Sequence, residues 1–206
     1  MSPETQEKLK QIKQSFRLLM NGAASKSMRD KGLQYKLNWG VQLADLKQMA
    51  DTYGKDYELA IALWKENIRE CKILATMMMP AEKMLPEIAD LWMEQTDSIE
   101  IAEMAAFHLY QYLPYAPAMA FQWIASDRPL YQVCGYHILT RLFMDGRQPD
   151  ERGISELMDQ ALAALTGDDA AVSHAAQLCL LRFADLGEPY ETIARKAVKS
   201  VNLEFL

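Results

Sequence analysis

The sequence lacks the features that mark membrane-spanning and exported proteins. No apolar run approaches the roughly 20 residues that span a bilayer, and the chain opens Met-Ser-Pro-Glu-Thr-Gln-Glu-Lys, without an apolar segment. Cys71, Cys134 and Cys179 each lie in an apolar stripe and show neither CxxC nor Cys/His ligand spacing. These absences predict a cytoplasmic protein with reduced core cysteines, no metal ion and no membrane partner.

Signatures of cofactor and nucleotide chemistry are missing as well. The chain has no glycine-rich phosphate loop, which argues against nucleotide hydrolysis. His108, His137 and His174 are separated from cysteines and acidic residues at ligand spacing, so they are interpreted as surface or satisfied core residues. The sequence therefore predicts no cofactor and contains no recognisable active site.

Strand patterns are absent, and helical patterns fill the chain. No alternating β-branched segments occur, whereas apolar residues recur at helical spacing throughout. The pattern predicts about eleven helices with joints of two to six residues, beginning with a helix from Glu4 to Met20 that buries Leu19 and Met20. Ser25 to Gly32 reads as a helical turn or a loop. We expect an all-α protein of one domain over residues 1–206, an α-solenoid of HEAT-like antiparallel helix pairs in a curved stack.

The stretch from Asn38 to Met79 shows this plan most clearly. It contains three short apolar stripes, with Gly54 placed as a C-terminal cap and Asp56 as the next N-cap. Pro80 ends the third helix, because proline lacks the N–H that a continuing helix needs. None of the three helices is long enough to be stable alone, so each must bury its stripe against neighbours. All four tryptophans, which lie at apolar helical positions, are predicted to be core residues: Trp39, Trp64, Trp92 and Trp123.

The same stretch resembles a known family. The resemblance rests on Gly40-Val41, Leu46, Glu58-Leu59-Ala60, Leu63-Trp64 and Glu70-Cys71-Lys72-Ile73-Leu74-Ala75, with a second match at Trp123-Ile124-Ala125-Ser126-Asp127. These residues are similar to the helical-repeat pattern of the DNA alkylation repair family, the alkylpurine DNA glycosylases. The resemblance covers roughly the middle two-thirds of the chain, and it implies a stack of HEAT-like repeats with a concave face.

The resemblance also implies where chemistry would lie. In that family, a cleft holds two tryptophans that contact the lesion's sugar and backbone, and an aspartate that stabilises the charge of the breaking glycosidic bond. The matching positions here are Ile99 for the first tryptophan, Glu103 for the aspartate and Cys179 for the second tryptophan. Val133 stands where an arginine is expected, while Arg182 matches the arginine of the second tryptophan's run.

These departures leave two functions open. Glu103 is the catalytic candidate, with Asp97 or Glu100 as alternatives if the alignment slips by a turn. Without the aromatics, a cationic base loses a surface that would hold it. The first hypothesis is a DNA alkylation repair-like protein that binds or excises alkylated bases in duplex DNA. The alternative is a non-catalytic HEAT-like repeat scaffold that binds a protein or a nucleic acid.

Charge is distributed unevenly, which bears on the partner. Residues 1–80 carry a net charge of +4 and the remainder −10. Eight basic residues of the first part could line one face, or could be an ordinary solvated surface: Lys8, Lys10, Lys13, Arg17, Lys26, Arg29, Lys31 and Lys36. We expect weak, salt-sensitive binding of duplex DNA through Lys10, Lys13, Arg17 and Arg182, flanking one groove of a curved stack. If DNA does not bind, a protein is the expected partner.

Overall fold

The computed structural model describes residues 1–205, which contain twelve α-helices, two short 3₁₀ helices and no strand. This confirms the all-α prediction. The 3₁₀ helices are Ala81–Lys83 and Tyr110–Tyr112. The α-helices, in chain order, are α1 (Pro3–Leu18), α2 (Gly22–Asp30), α3 (Leu43–Tyr53), α4 (Tyr57–Lys65), α5 (Arg69–Met78), α6 (Pro86–Glu94), α7 (Ile99–His108), α8 (Ala116–Ile124), α9 (Pro129–Met144), α10 (Glu151–Thr166), α11 (Ala170–Ala184) and α12 (Glu188–Ser200).

Local sequence signals set most of the helix ends. Gly54 follows α3 with φ of +70°, and the Asp56 side chain accepts a hydrogen bond from the Leu59 N–H at 3.0 Å to begin α4. Pro80 follows α5, as predicted. The Ser98 hydroxyl accepts from the Ile101 N–H at 3.3 Å and fixes the start of α7.

The first helix ends earlier than the sequence pattern predicts. The Asn21 side chain accepts a hydrogen bond from the Ala24 N–H at 3.0 Å and so begins α2, which includes most of the Ser25 to Gly32 segment predicted as a helical turn or a loop. Because the chain leaves α1 after Leu18, Leu19 is 38% exposed and Met20 is 62% exposed. The prediction that Leu19 and Met20 are buried is therefore wrong.

The helices form two compact units, of which the first is Met1–Leu109. Within it, α4 packs on α5 and on α1, while α3 and α7 pack on α5. The indole rings of Trp64 and Trp92 stack at 4.1 Å between centroids, and the Lys72 ammonium lies 4.1 Å from the Trp64 ring centroid. Trp64 also donates from Nε1 to Gln95 Oε1 at 2.9 Å, so its one polar atom is satisfied.

The second unit begins at Tyr110. In it α9 packs against both α8 and α11, and α11 packs against both α10 and α12. The α8–α9 contact depends on Gly135, where an added Cβ would lie 2.8 Å from the Ala120 carbonyl oxygen and 2.9 Å from the Ile124 nitrogen. Helix-to-next-helix and helix-to-second-next contacts of this kind are those of stacked helical repeats.

Three further predictions concern the cysteines, membrane-spanning helices and the number of domains. Cys71, Cys134 and Cys179 are free and buried, as the sequence predicts for core residues. Within residues 1–205, no helix is long and apolar enough to cross a membrane. The prediction of one domain over residues 1–206 stays a prediction.

Candidate nucleic-acid interface

A row of basic side chains runs along the exposed side of α1. Lys10, Lys13 and Arg17 are spaced by three and four residues, which places them on one face of a helix. The adjacent face is buried through Leu9, Ile12 and Phe16, and α1 packs on α4. The basic row borders an open depression of about 380 Å³, which is lined by Met1, Gln6, Leu9, Lys10, Lys13, Gln14 and Arg17. The structure thus brings together three of the four predicted DNA-binding residues.

The members of this basic row differ in how much charge they offer a ligand. Lys13 Nζ lies 2.9 Å from Glu66 Oε2, so its charge is partly compensated. In the part of the chain that the structure describes, neither Lys10 nor Arg17 forms an ion pair with a carboxylate, and both are exposed. Lys10 and Arg17 therefore carry the uncompensated positive charge of α1.

Lys8 is paired with two carboxylates. Its ammonium lies 2.8 Å from Glu4 and 3.3 Å from Asp56, and these hydrogen bonds raise the pKa of Lys8 above its usual value. Of the other early basic residues, Arg29 donates to the Ser25 hydroxyl at 2.8 Å. Lys26, Lys31 and Lys36 are exposed.

Trp39 lies beside the end of this basic row and departs from its prediction. It is half-buried, in a loop and outside any helix, so the prediction of a helical core residue is wrong for Trp39. The Arg17 guanidinium carbon lies 6.0 Å from the centroid of the Trp39 ring. Trp64, Trp92 and Trp123, by contrast, are each only 2% exposed and confirm the core prediction.

The backbone around Trp39 is fixed from several directions. The Trp39 N–H donates to Glu70 Oε2 at 3.2 Å, and the Trp39 carbonyl accepts from the Asn21 N–H at 2.9 Å. The Val41 N–H donates to Glu70 Oε1 at 3.3 Å. Gly40, between them, has φ of +71°, and an added Cβ would lie 2.2 Å from the Asn21 carbonyl oxygen.

Glu70 belongs to a buried ionic network that sequence reasoning missed. Arg69 is 4% exposed and Glu70 is fully buried, and Arg69 Nη1 lies 3.2 Å from Glu70 Oε1. Arg69 also donates to both carboxylate oxygens of Glu100, at 2.8 and 2.6 Å. The Tyr35 hydroxyl donates to Glu100 Oε2 as well. This network ties the loop after α2 to the first turns of α5 and α7.

Both carboxylate oxygens of Glu100 are therefore bound by Arg69, which affects the choice of a catalytic carboxylate on α7. Its bidentate bond to Arg69 makes it a structural residue, so the alternative of Glu100 as the reacting carboxylate is not supported. Glu103 lies one turn further along α7 and is half-buried. Ile99, at the first residue of α7, is 38% exposed. The two positions that the resemblance pairs thus lie on one helix, one turn apart.

Residues from the end of the matching region lie in the second unit. Cys179 is fully buried in α11, and Val133 is 1% exposed in α9. Arg182 is 47% exposed and pairs with Asp185 at 2.7 Å. It borders an open depression of about 420 Å³ with Phe143, Met144, Gly146, Gln148, Asp185 and Leu186. The DNA-binding role of Arg182 stays a prediction.

The described residues 1–205 contain no group of three or more histidine, cysteine, aspartate or glutamate side chains that could hold a metal ion.

His108, the last residue of α7, is half-buried. Its Nε2 is buried without a hydrogen-bond partner in the described part of the chain, and burial with the nearby Lys47 and Lys55 charges lowers its pKa to about 4. His108 is thus a neutral imidazole near neutral pH.

The fold defines a class, the α-solenoids of HEAT-like helical repeats. A solved structure described as a new family of proteins related to the HEAT-like repeat DNA glycosylases, with affinity for branched DNA structures, matches with a TM-score of 0.82. The match has 20% sequence identity and covers 94% of this chain and 83% of the other. At this identity the likeness shows the fold, which is an α-solenoid of HEAT-like helix pairs.

The family follows from the sequence. The family model described as DNA alkylation repair enzyme matches residues 12–179, which is most of the chain. The chain therefore belongs to the DNA alkylation repair family. The search of the curated proteins gave no match.

Proposed function

We propose that this protein is a DNA-binding member of its family that holds duplex or branched DNA by phosphate contacts without excising alkylated bases. The observation that carries the absence of excision is Cys179. The resemblance gives this position to a lesion-contacting tryptophan, yet Cys179 is a small side chain with no exposed surface. Ile99 replaces the other tryptophan. A cationic alkylated base would find no aromatic face at either position.

Glu103 alone is a weak basis for catalysis. Its carboxylate carries the charge of the family's aspartate, but on a side chain that is longer by one methylene. A displacement of about 1 Å in a catalytic group can cost on the order of 100-fold in rate. We therefore expect no release of 7-methylguanine or 3-methyladenine from alkylated duplex DNA. Release that is abolished in Glu103→Gln would instead establish a glycosylase with Glu103 as the catalytic residue.

The basic row on α1 supports DNA binding. Lys10 and Arg17 are separated by about 10 Å along the helix axis at a rise of 1.5 Å per residue. Phosphates of a duplex rise by about 3.4 Å per nucleotide along its axis, so the row is long enough to reach more than one phosphate. Affinity for the structural relative's branched DNA is the relative's property, and we extend it to this chain as part of the proposal.

Salt dependence is the measurement that tests the binding. Each phosphate contact contributes a slope of about −0.9 to log K against log salt. The net charge of −6 opposes binding, so we expect DNA binding at low salt that weakens steeply toward physiological ionic strength, where screening extends over about 8 Å. Fluorescence anisotropy of labelled duplex, titrated over salt, measures the slope.

A matched pair of variants assigns the contacts. Lys10→Gln with Arg17→Gln should weaken binding for all DNA sequences and make the salt slope shallower by about 2. Lys65→Gln with Lys83→Gln removes the same charge from exposed positions of the same unit and should change the slope little. Arg182→Gln tests the remaining predicted contact separately. Absence of binding at low salt, or equal effects of the two double variants, would contradict the proposal and favour a protein partner.

A further inference from the structure

Trp39 is not part of the buried core of the first unit. The other three tryptophans are packed between helices and are 2% exposed, whereas Trp39 is half-buried and lies in a loop. The half-buried indole of Trp39 leaves apolar surface in water. The backbone of Trp39 is nevertheless more firmly held than that of an ordinary surface loop. An aromatic side chain on a fixed loop is the arrangement found where a protein presents a ring to a ligand.

The loop is organised before any ligand arrives. Glu70, fully buried on α5, accepts the N–H groups of Trp39 and Val41, and the Asn21 N–H donates to the Trp39 carbonyl. Gly40 provides the left-handed turn and leaves no room for a side chain. Little conformational entropy is therefore lost when a ligand packs on the ring.

The surroundings of Trp39 specify the chemistry of that ligand. Arg17, at the end of the basic row, lies within cation–π distance of the Trp39 ring at 6.0 Å. An aromatic ring and a guanidinium beside phosphate-binding residues form the usual surface for stacking a nucleobase. Bases inside a duplex are already stacked on both faces, so a base at an open end, a flap or a junction is the one that can reach such a ring.

We propose that Trp39, together with Arg17, is a stacking platform for an unpaired or terminal base, and that it gives the protein a preference for branched DNA over continuous duplex. The proposal depends on the DNA binding proposed above. It adds to that binding the feature of DNA that is recognised and the residue that recognises it. The basic row supplies phosphate contacts that are common to all DNA, and Trp39 supplies the discrimination.

The test compares forked DNA that carries unpaired arms with blunt duplex of equal phosphate number, at low salt. For Trp39→Ala we expect a loss of about 10-fold or more in affinity for forked DNA, with little change for blunt duplex. Trp39→Phe should keep most of the preference, because it retains a ring. Leu37→Ala is the matched control, since Leu37 lies in the same loop and is 39% exposed. It should leave both affinities unchanged.

Intrinsic fluorescence gives a second readout. Because Trp64, Trp92 and Trp123 are buried, quenching by DNA reports on Trp39, and we expect it with forked DNA and not with blunt duplex. If Trp39→Ala keeps the wild-type ratio of forked to duplex affinity, or if forked DNA causes no quenching while it binds, the stacking platform is wrong and the proposed DNA binding stands. If neither DNA binds at low salt, the proposed function itself fails.

Discussion

Arg69 grips Glu100 through two hydrogen bonds, from Nε to Oε2 at 2.8 Å and from Nη2 to Oε1 at 2.6 Å. Burial by itself would raise the pKa of Glu100, but the hydrogen bonds from Arg69 and Tyr35 outweigh it and hold the pKa below its ordinary value. For Arg69 the loss of water is likewise outweighed by Glu100, and its pKa is raised. Both groups are therefore charged in the native protein.

Removal of Arg69 should destabilise the first unit severely. Arg69→Met leaves the buried Glu70 and the partly buried Glu100 without their cation, and breaking a buried pair in this way costs about 3–5 kcal/mol. Arg182→Met is the control, because Arg182 pairs with Asp185 on the surface and such pairs contribute about 0–1 kcal/mol. Urea denaturation measures both free energies of unfolding. Similar losses in the two variants would contradict the structural role of Arg69.

Gly40 should tolerate no side chain. Gly40→Ala adds a Cβ that would lie 2.2 Å from the Asn21 carbonyl oxygen, on a backbone with φ of +71°. Gly54→Ala is a matched control, since Gly54 has φ of +70° and no atom lies within 4 Å of its added Cβ. Gly54 has ψ of −169°, in a region that only glycine adopts readily, so we expect about 1–3 kcal/mol of destabilisation for Gly54→Ala from backbone conformation alone, and clearly more for Gly40→Ala. Equal midpoints in urea would show that the contact with Asn21 does not limit this position.

His108 should make stability depend on pH in mildly acidic solution. Its native pKa is about 4, because of burial and then the Lys47 and Lys55 charges, while an unfolded histidine titrates near 6.5. Between these values the unfolded chain binds a proton that the native protein does not. This contribution to stability is therefore complete above about pH 6.5 and is lost as the pH falls toward 4.

The slope from one such group is at most about 1.4 kcal/mol per pH unit. His108→Gln should remove it, which denaturation midpoints at pH 7, 6 and 5 would show. His174→Gln, at an exposed position of α11, is the control. A His108→Gln variant with the wild-type pH slope would mean that His108 is protonated equally in both states.

Trp92 should be among the most costly core residues to truncate. It stacks on Trp64 at 4.1 Å and is 2% exposed, so Trp92→Ala removes a large buried ring. We expect a loss of about 3–5 kcal/mol in the free energy of unfolding. Leu91→Ala, at the neighbouring residue with 49% exposure, should change stability little. Near-ultraviolet circular dichroism should also lose the signal of the stacked indoles in Trp92→Ala and keep it in Leu91→Ala.

Helix positions could be predicted from the sequence because their signals are local. Asp56 and Pro80 act within one helical turn of their own position, and the structure places them where the sequence predicts. The end of α1 differs from the prediction because of another local signal. Leu19 and Met20 continue the apolar pattern, but the Asn21 cap starts α2 and turns the chain away.

The loop around Trp39 could not be predicted, because its determinants are distant in sequence. Glu70 lies 31 residues from Trp39, and Arg69 lies 31 residues from Glu100. In the sequence, Arg69 and Glu70 resemble the solvated charges of an ordinary first helical turn. The one local signal was Trp39 between Asn38 and Gly40, a large aromatic residue in a polar segment.

The candidate site was likewise predictable from the sequence only in part. The spacing of Lys10, Lys13 and Arg17 was sufficient to place them on one face of α1. The pairing of Lys13 with Glu66 and of Arg182 with Asp185 depends on the folded chain, and so do the charges left for a ligand.

The buried cysteines give this chain a built-in set of chemical labels. Burial raises the pKa of all three thiols, so a thiol reagent can reach them only when the surrounding helices open. Cys71 belongs to the first unit, and Cys134 and Cys179 belong to the second. The rate at which each thiol reacts with such a reagent therefore reports the opening of each unit separately. Changes in these rates when DNA binds on α1 would show which unit the DNA stabilises, without any engineered label.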